Sequence, residues 1–120
     1  MEFLFVFIVG GAGYGLLELM WRGWTHWTML ICGGTCFTLM YLIADMGISM
    51  PKKCILSAAA ITTVEYFTGC IVNLRFHWQV WDYSSAHFNI LGQICPAFML
   101  AWLALSVPGI KLCMKLHRIL

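Results

Sequence analysis

Charge is what this sequence has little of: 10% of its 120 residues are Asp, Glu, Lys or Arg, where an ordinary soluble domain carries about a quarter. A water-facing surface cannot be assembled from so few charges, so a soluble catalytic domain has no residues left to build it. The formal net charge is only +2, and the basic side chains stand at the ends of apolar stretches instead of forming a stripe. That placement argues against nucleic acid as a partner and matches membrane lipid headgroups. Also missing are a soluble linker, a low-complexity tract, a convincing internal repeat and any second domain. No Ser-His-Asp constellation, glycine-rich phosphate loop or paired-carboxylate spacing is visible, so no enzyme is expected. No cofactor or metal site is expected either: His26, His77, His87 and His117 are scattered, and Cys32 and Cys36 have no acidic or histidine companion on their span.

Hydrophobic residues, by contrast, reach 62%. They fall into about four runs of the roughly 20 residues that a bilayer core requires. The expected architecture is an all-α membrane protein, a single four-helix transmembrane domain over residues 1–120, with spans at about 3–21, 27–44, 54–74 and 88–110. Gly47 and Pro51 are the stop signals between the second and third spans. The segment Arg75 to His87 is too polar to span, and Trp78, Trp81 and Tyr83 favour the headgroup region, so it should be interfacial or re-entrant. The N-terminus lacks a basic region and a cleavage site, which predicts a retained first helix. Five of the six cysteines lie in or beside spans, where a thiol acts as a small apolar group and no disulfide framework is needed.

Lys52, Lys53, Lys111, Lys115 and Arg118 fall on one side of this topology, Arg22 and Arg75 on the other. The positive-inside rule then places both termini inside, in an integral membrane protein of the cell membrane.

The polar residues inside the apolar runs carry the functional question. In "GGAGYGLLELMWRG", Gly11 and Gly15 form a small-xxx-small face for close helix packing, and Glu18 stands four residues before Arg22, the spacing of an ion pair. Glu65 lies almost midway along the third span, the costliest depth for a carboxylate, with insertion scales charging about 2.5 to 3.5 kcal/mol. It must be protonated, paired or hydrated, and proton coupling or cation binding is chemically open to it. Glu18, Arg22, Arg75 and Asp82 all fall at the outer end, with Glu65 below them. One polar cluster is therefore expected, completed by Trp81, Tyr83, Asn89 and Gln93. Asn89 and Gln93 share a face if the fourth span is helical from residue 88, and Ser84 or Ser85 would cap it. Gly69 and Gly92 are further expected packing positions.

The string "VEYFTGCIVNLRFHWQVWDYSSAHFNILGQICPAFMLAW", Val64 to Trp102, resembles the family described as putative ABC-transporter type IV permeases, which includes small four-helix animal transmembrane proteins. Glu65 with Thr68 and Gly69, then Trp81, Asp82, Tyr83 and Ser84, then Asn89, Gly92 and Trp102 carry the likeness. Gly13, Tyr14 and Glu18 followed by Arg22 and Gly23 extend it into the first span. The resemblance implies a multi-pass, permease-like protein. Nothing in the chain could bind ATP, so an ATP-driven role would need a separate subunit.

Two functions compete at this point. One is a permease-like transporter or channel for an unidentified small polar or cationic molecule, working as a homo-oligomer joined through the Gly11 and Gly15 face or the Cys32 and Cys36 face. The other is a non-transporting, lipid-binding or partner-assisting protein whose charged cluster locks the helices together.

Overall fold

A computed structural model describes residues 2–120. Among them are four helices long and apolar enough to cross a membrane and no named strand. Helix α1 runs Glu2–Arg22, α2 Trp27–Ala44, α3 Met50–Gly69 and α4 Pro96–Ile119. Helix α3 continues without a break into a π-helical turn, Cys70–Arg75, giving a third span of 26 residues.

The termini of the helices follow from local chemistry. His26 caps α2 by accepting the Thr28 N–H on its ring nitrogen at 3.2 Å, and Gly23, with φ of +78°, makes the turn that precedes it. Pro51 does not stop the chain before the third span. It sits in the first turn of α3, where a missing N–H costs nothing, so the helix starts four residues earlier than its apolar run. The larger correction concerns the fourth span, which begins at Pro96 and not near residue 88. Proline disfavours helical geometry in the residue before it, and Cys95 is accordingly extended (φ −152°, ψ 155°). Phe88 to Cys95, apolar enough to read as the first two turns of helix, is therefore loop.

Helix α2 is the centre of the bundle, packed against α1, α3 and α4, while α3 also packs on α4. The approach of α1 to α2 is close enough to need glycine from both sides. A Cβ on Gly11 would stand 2.8 Å from the Leu30 carbonyl oxygen, and one on Gly34 would stand 2.8 Å from the Phe7 carbonyl oxygen. The Gly11 and Gly15 face is thus occupied within the chain and cannot also serve as the seam between copies. Cys32 and Cys36, the other expected seam, are buried as well.

Helix ends with like roles gather at opposite poles. At the terminal end, Tyr41 donates its hydroxyl to Glu2 at 2.9 Å, His117 stacks on the Tyr41 ring (centroids 3.7 Å apart) and the Lys53 ammonium donates to the Ala44 carbonyl at 2.8 Å. A buried cluster of Val6, Met40, Tyr41, Ile43, Ile110, Cys113 and Leu116 closes this end. At the other pole, the loop end, His26, Trp27 and Trp78 pack ring against ring, Phe76 stacks on Trp78, and Trp21 and Trp24 are exposed, an aromatic belt of the kind found at the membrane interface. Between the poles, Leu4, Ile8, Leu16, Ile55, Phe67 and Leu100 are exposed, as side chains facing acyl tails are.

Candidate functional site

The loop that returns the chain from α3 to α4, residues 76–95, is held from below by one side chain. The π turn presents Asn73 to the interior, where its amide donates to Gln93 Oε1 at 2.7 Å and its carbonyl oxygen accepts from the N–H groups of Val80 (2.6 Å) and Trp81 (3.3 Å). Trp81 closes the circuit by donating its indole N–H to the Gln93 carbonyl at 3.0 Å. Gln93 is 2% exposed and also donates to the Leu91 carbonyl at 2.9 Å. Every one of these groups would be unpaired in lipid without the others.

Further out, Asn89 works as the loop's internal tie. Its amide donates to the carbonyls of Ser84 (3.2 Å) and Ala86 (2.9 Å), and its oxygen accepts the Gly92 N–H at 2.9 Å. Asn89 and Gln93 therefore lie on no helix face. Gly92, expected to pack helices, is instead a turn residue with φ of +72°, its carbonyl accepting the Tyr83 N–H at 2.7 Å. A side chain on Gly69 would run into Gln93 and Trp81, so that glycine makes room for the loop, not for another helix. Ser84 caps no helix; its N–H bonds to Asp82 Oδ1 at 2.8 Å. That bond, with one from the Ser84 hydroxyl, holds the Asp82 carboxyl below the ordinary aspartate range. His77, Gln79, Phe88 and Leu91 all have φ between +52° and +58°, so the loop stores backbone strain that the side-chain ties must offset.

The expected polar residues divide into two groups. The first is sealed. Glu65 is 5% exposed, and the Trp102 indole N–H points at its Oε1 from 3.5 Å. The Tyr83 phenol lies against the same carboxyl, while the Tyr14 phenol lies against Glu18 close by. Tyr83 itself, stacked on Phe98 at 4.6 Å, has its phenol pushed upward first by burial and then by the nearby Glu65, so it stays a proton donor. The second group is open. A pocket of about 640 Å³ at the loop end is lined by Arg22, Trp81, Asp82 and Gln93, with Trp24, Gln79 and Ser84 among its other walls.

Arg22 joins the two. Its Nε is 2.5 Å from Glu18 Oε2, off the line of an aligned hydrogen bond, so the contact is an ion pair. Its Nη1 donates to the Val80 carbonyl at 2.7 Å, and its guanidinium lies 4.1 Å from the centre of the Trp24 ring. Through these contacts α1 holds the loop. Arg75 joins neither group: it is exposed at the end of the π turn. Asp82 bonds to Ser84 and to neither arginine. Asn73 was the residue that sequence reasoning passed over. A lone asparagine inside "CIVNLR", where a span should be apolar, was the signal that could have found it.

The family model described as putative ABC-transporter type IV matches residues 3–119, almost the whole chain. The chain belongs to this family. The description is that of a transporter component and not of an enzyme, and with four apolar helices it makes the chain an integral membrane protein. No curated protein and no solved structure matches it.

Proposed function

We propose that the chain is a permease-like membrane component that takes a small polar or cationic molecule into the pocket at its loop end. The observation that carries this reading is the pocket itself: about 640 Å³ of space whose wall includes a guanidinium, a carboxylate and a glutamine amide, Arg22, Asp82 and Gln79, in a chain that is otherwise apolar. Such a mixture of donors and acceptors suits a small solute that needs replacement for its hydration. The excess of Lys and Arg near the termini supports placing the loop end outside and the terminal end inside the cell membrane. Glu65, buried beneath the loop, serves in this reading as the group that couples solute binding to a proton or cation. Passage across the closed terminal end requires a rearrangement or a second copy, and a homo-oligomer is part of the reading.

A second reading draws support from the enclosure of Glu65 by Trp102 and Tyr83: the acidic residues lock the helices, and the protein binds lipid or assists a partner without transport.

Thermal unfolding of the purified protein separates them, with choline, guanidinium, tetramethylammonium and glycine as probes. In the first reading at least one probe raises the Tm of the wild type but not of Asp82→Asn, a change that keeps the oxygen bonded to Ser84. Glu65→Gln then keeps its fold and loses the response. Absence of any probe effect, with a lowered Tm for Glu65→Gln, establishes the lock and ends the permease reading.

A further inference from the structure

The charges gathered beneath the outer pocket do not balance. Two acids, Glu18 and Glu65, stand near each other, and the base beside them, Arg22, is paired with Glu18. Arg75 is exposed at the end of the π turn, and Lys52, Lys53, Lys111 and Lys115 belong to the terminal end, so Glu65 has no cation of its own. What faces it from the packed elements is the Trp102 indole of α4, the Tyr83 phenol of the loop, the Cys32 and Cys36 thiols of α2 and, against Glu18, the Tyr14 phenol of α1. A carboxylate there carries a charge that nothing offsets, in a span where hydrocarbon disfavours it. A hard cation would compensate it only with a shell of about six oxygens. Among the described residues no three His, Cys, Asp or Glu side chains come together as a metal ion requires. A proton needs no shell, and one proton makes the enclosure neutral.

We propose that Glu18 and Glu65 hold one proton between them and that it exchanges with the outer pocket by way of Tyr83 and Glu18. This assignment rests on the permease reading, to which it adds the coupled ion and the ion's route.

The placement of the side chains supplies that route. Glu65 is buried, whereas Glu18 is half-buried and its partner Arg22 lines the pocket. Glu18 Oε2 is enclosed and accepts no aligned hydrogen bond, so it is free to take up a proton. The Tyr83 phenol lies against Glu65, with Glu18 and Arg22 also near it. A phenol passes a proton without becoming charged: its oxygen takes one from the Glu18 carboxyl as its O–H gives one to the Glu65 carboxylate. Glu18 ends as a carboxylate paired with Arg22, Glu65 ends as a neutral acid and the tyrosine is unchanged. Glu65 is the resting place, because the reverse distribution strands a bare charge.

The test uses the whole chain, with isotope-labelled glutamate, in phosphatidylcholine vesicles at neutral pH. Infrared spectra should show one protonated glutamate carbonyl band, and Glu65→Gln should remove it. Arg22→Gln leaves two acids and no base, so a second protonated band should appear. In heavy water the wild-type band shifts as its proton is exchanged. Tyr83→Phe keeps the ring on Phe98 and loses the relay oxygen, so this exchange should slow by roughly a hundredfold. A probe that raises the Tm stands at the mouth of the route and should slow the exchange too. A wild type without the band overturns the proposal. So do a single band in Arg22→Gln, exchange in Tyr83→Phe as fast as in the wild type, or exchange indifferent to a bound probe. Should Tyr83→Phe fail to fold, the band count in Arg22→Gln still decides whether the proton is shared. Any of these failures leaves the permease reading standing, since a solute can occupy the pocket without a proton. A band that behaves as expected in a protein that no probe stabilises ends the permease reading alone.

Discussion

Asn73, at the end of the third span, donates to Gln93 Oε1 at 2.7 Å, and both are buried although 20 residues separate them in sequence. This bond is the keystone of the loop end, because the same asparagine also receives the backbone of Val80 and Trp81. Asn73→Leu would leave the buried Val80 N–H and Gln93 amide oxygen without their partner. Each orphaned buried group costs about 1–3 kcal/mol, so a loss of roughly 2–6 kcal/mol is expected. Reversible unfolding in mild detergent measures it. Trp81 fluorescence should report loosening of the loop before the helices melt.

The glycines of α1 give a paired prediction. Gly11→Ala forces a methyl group against the Leu30 carbonyl, which belongs to helix backbone and cannot swing aside. Separating α1 from α2 should cost about 1–3 kcal/mol, as overpacking does. Gly13→Ala, two residues away and facing open space, should leave stability unchanged or raise it slightly. Equal effects at the two positions in thermal unfolding would contradict the packing of α1 on α2.

Much of this fold is legible in the sequence and some of it is not, for physical reasons that differ between residues. Helix α2 has the bounds that its apolar run implies, Trp27 to Ala44, because a histidine cap and an Asp-Met-Gly turn delimit it. Helix α4 does not, because "FNILGQIC" is apolar and repeats Asn89 and Gln93 at a helical spacing. The decisive signal was the constraint that Pro96 places on Cys95, and hydropathy does not register it. Glu18 and Arg22 meet as their four-residue spacing requires. The separation of Glu65 from Asp82 could not be read, because it depends on where a long loop folds over the bundle.

Asp82 gives a pH dependence of known sign. Bonds from Ser84 lower its folded pKa below the ordinary aspartate value of 3.8, so its stabilising contribution is complete above that value and disappears as pH falls through the lower, folded one. The Asp82–Ser84 turn should therefore be insensitive to pH through neutrality and loosen only on the acid side. The amide proton shift of Ser84 follows it directly. Asp82→Asn should flatten that acid transition while leaving the turn in place.

At the terminal end, His117 Nε2 lies 2.7 Å from the Tyr41 carbonyl, and a carbonyl can only accept, so Nε2 carries the proton. With Tyr41 in turn donating to Glu2, one residue links α1, α2 and α4. His117→Leu should cost about 1–2 kcal/mol by leaving that carbonyl without its partner, and His117→Gln, which keeps a donor, should cost less. If the two substitutions are equally harmful, stacking on Tyr41 and not the hydrogen bond is what holds α4 here.

The Trp102 and Glu65 pair answers how much of the sealed group is architecture. Trp102→Phe removes the indole donor and keeps an aromatic ring, leaving the carboxyl in its enclosure with fewer partners. An orphaned buried acid should cost about 1–3 kcal/mol. Glu65→Leu alone should cost a similar amount, because it strands the indole N–H. If the two groups exist for each other, the double variant should cost much less than the sum of the single ones, since replacing both partners by apolar groups strands neither of the two. A double-mutant cycle read by thermal unfolding supplies the coupling. A large coupling assigns Glu65 to the bundle's architecture, whereas strict additivity releases its carboxyl from that task and favours the role of coupling group beneath the outer pocket.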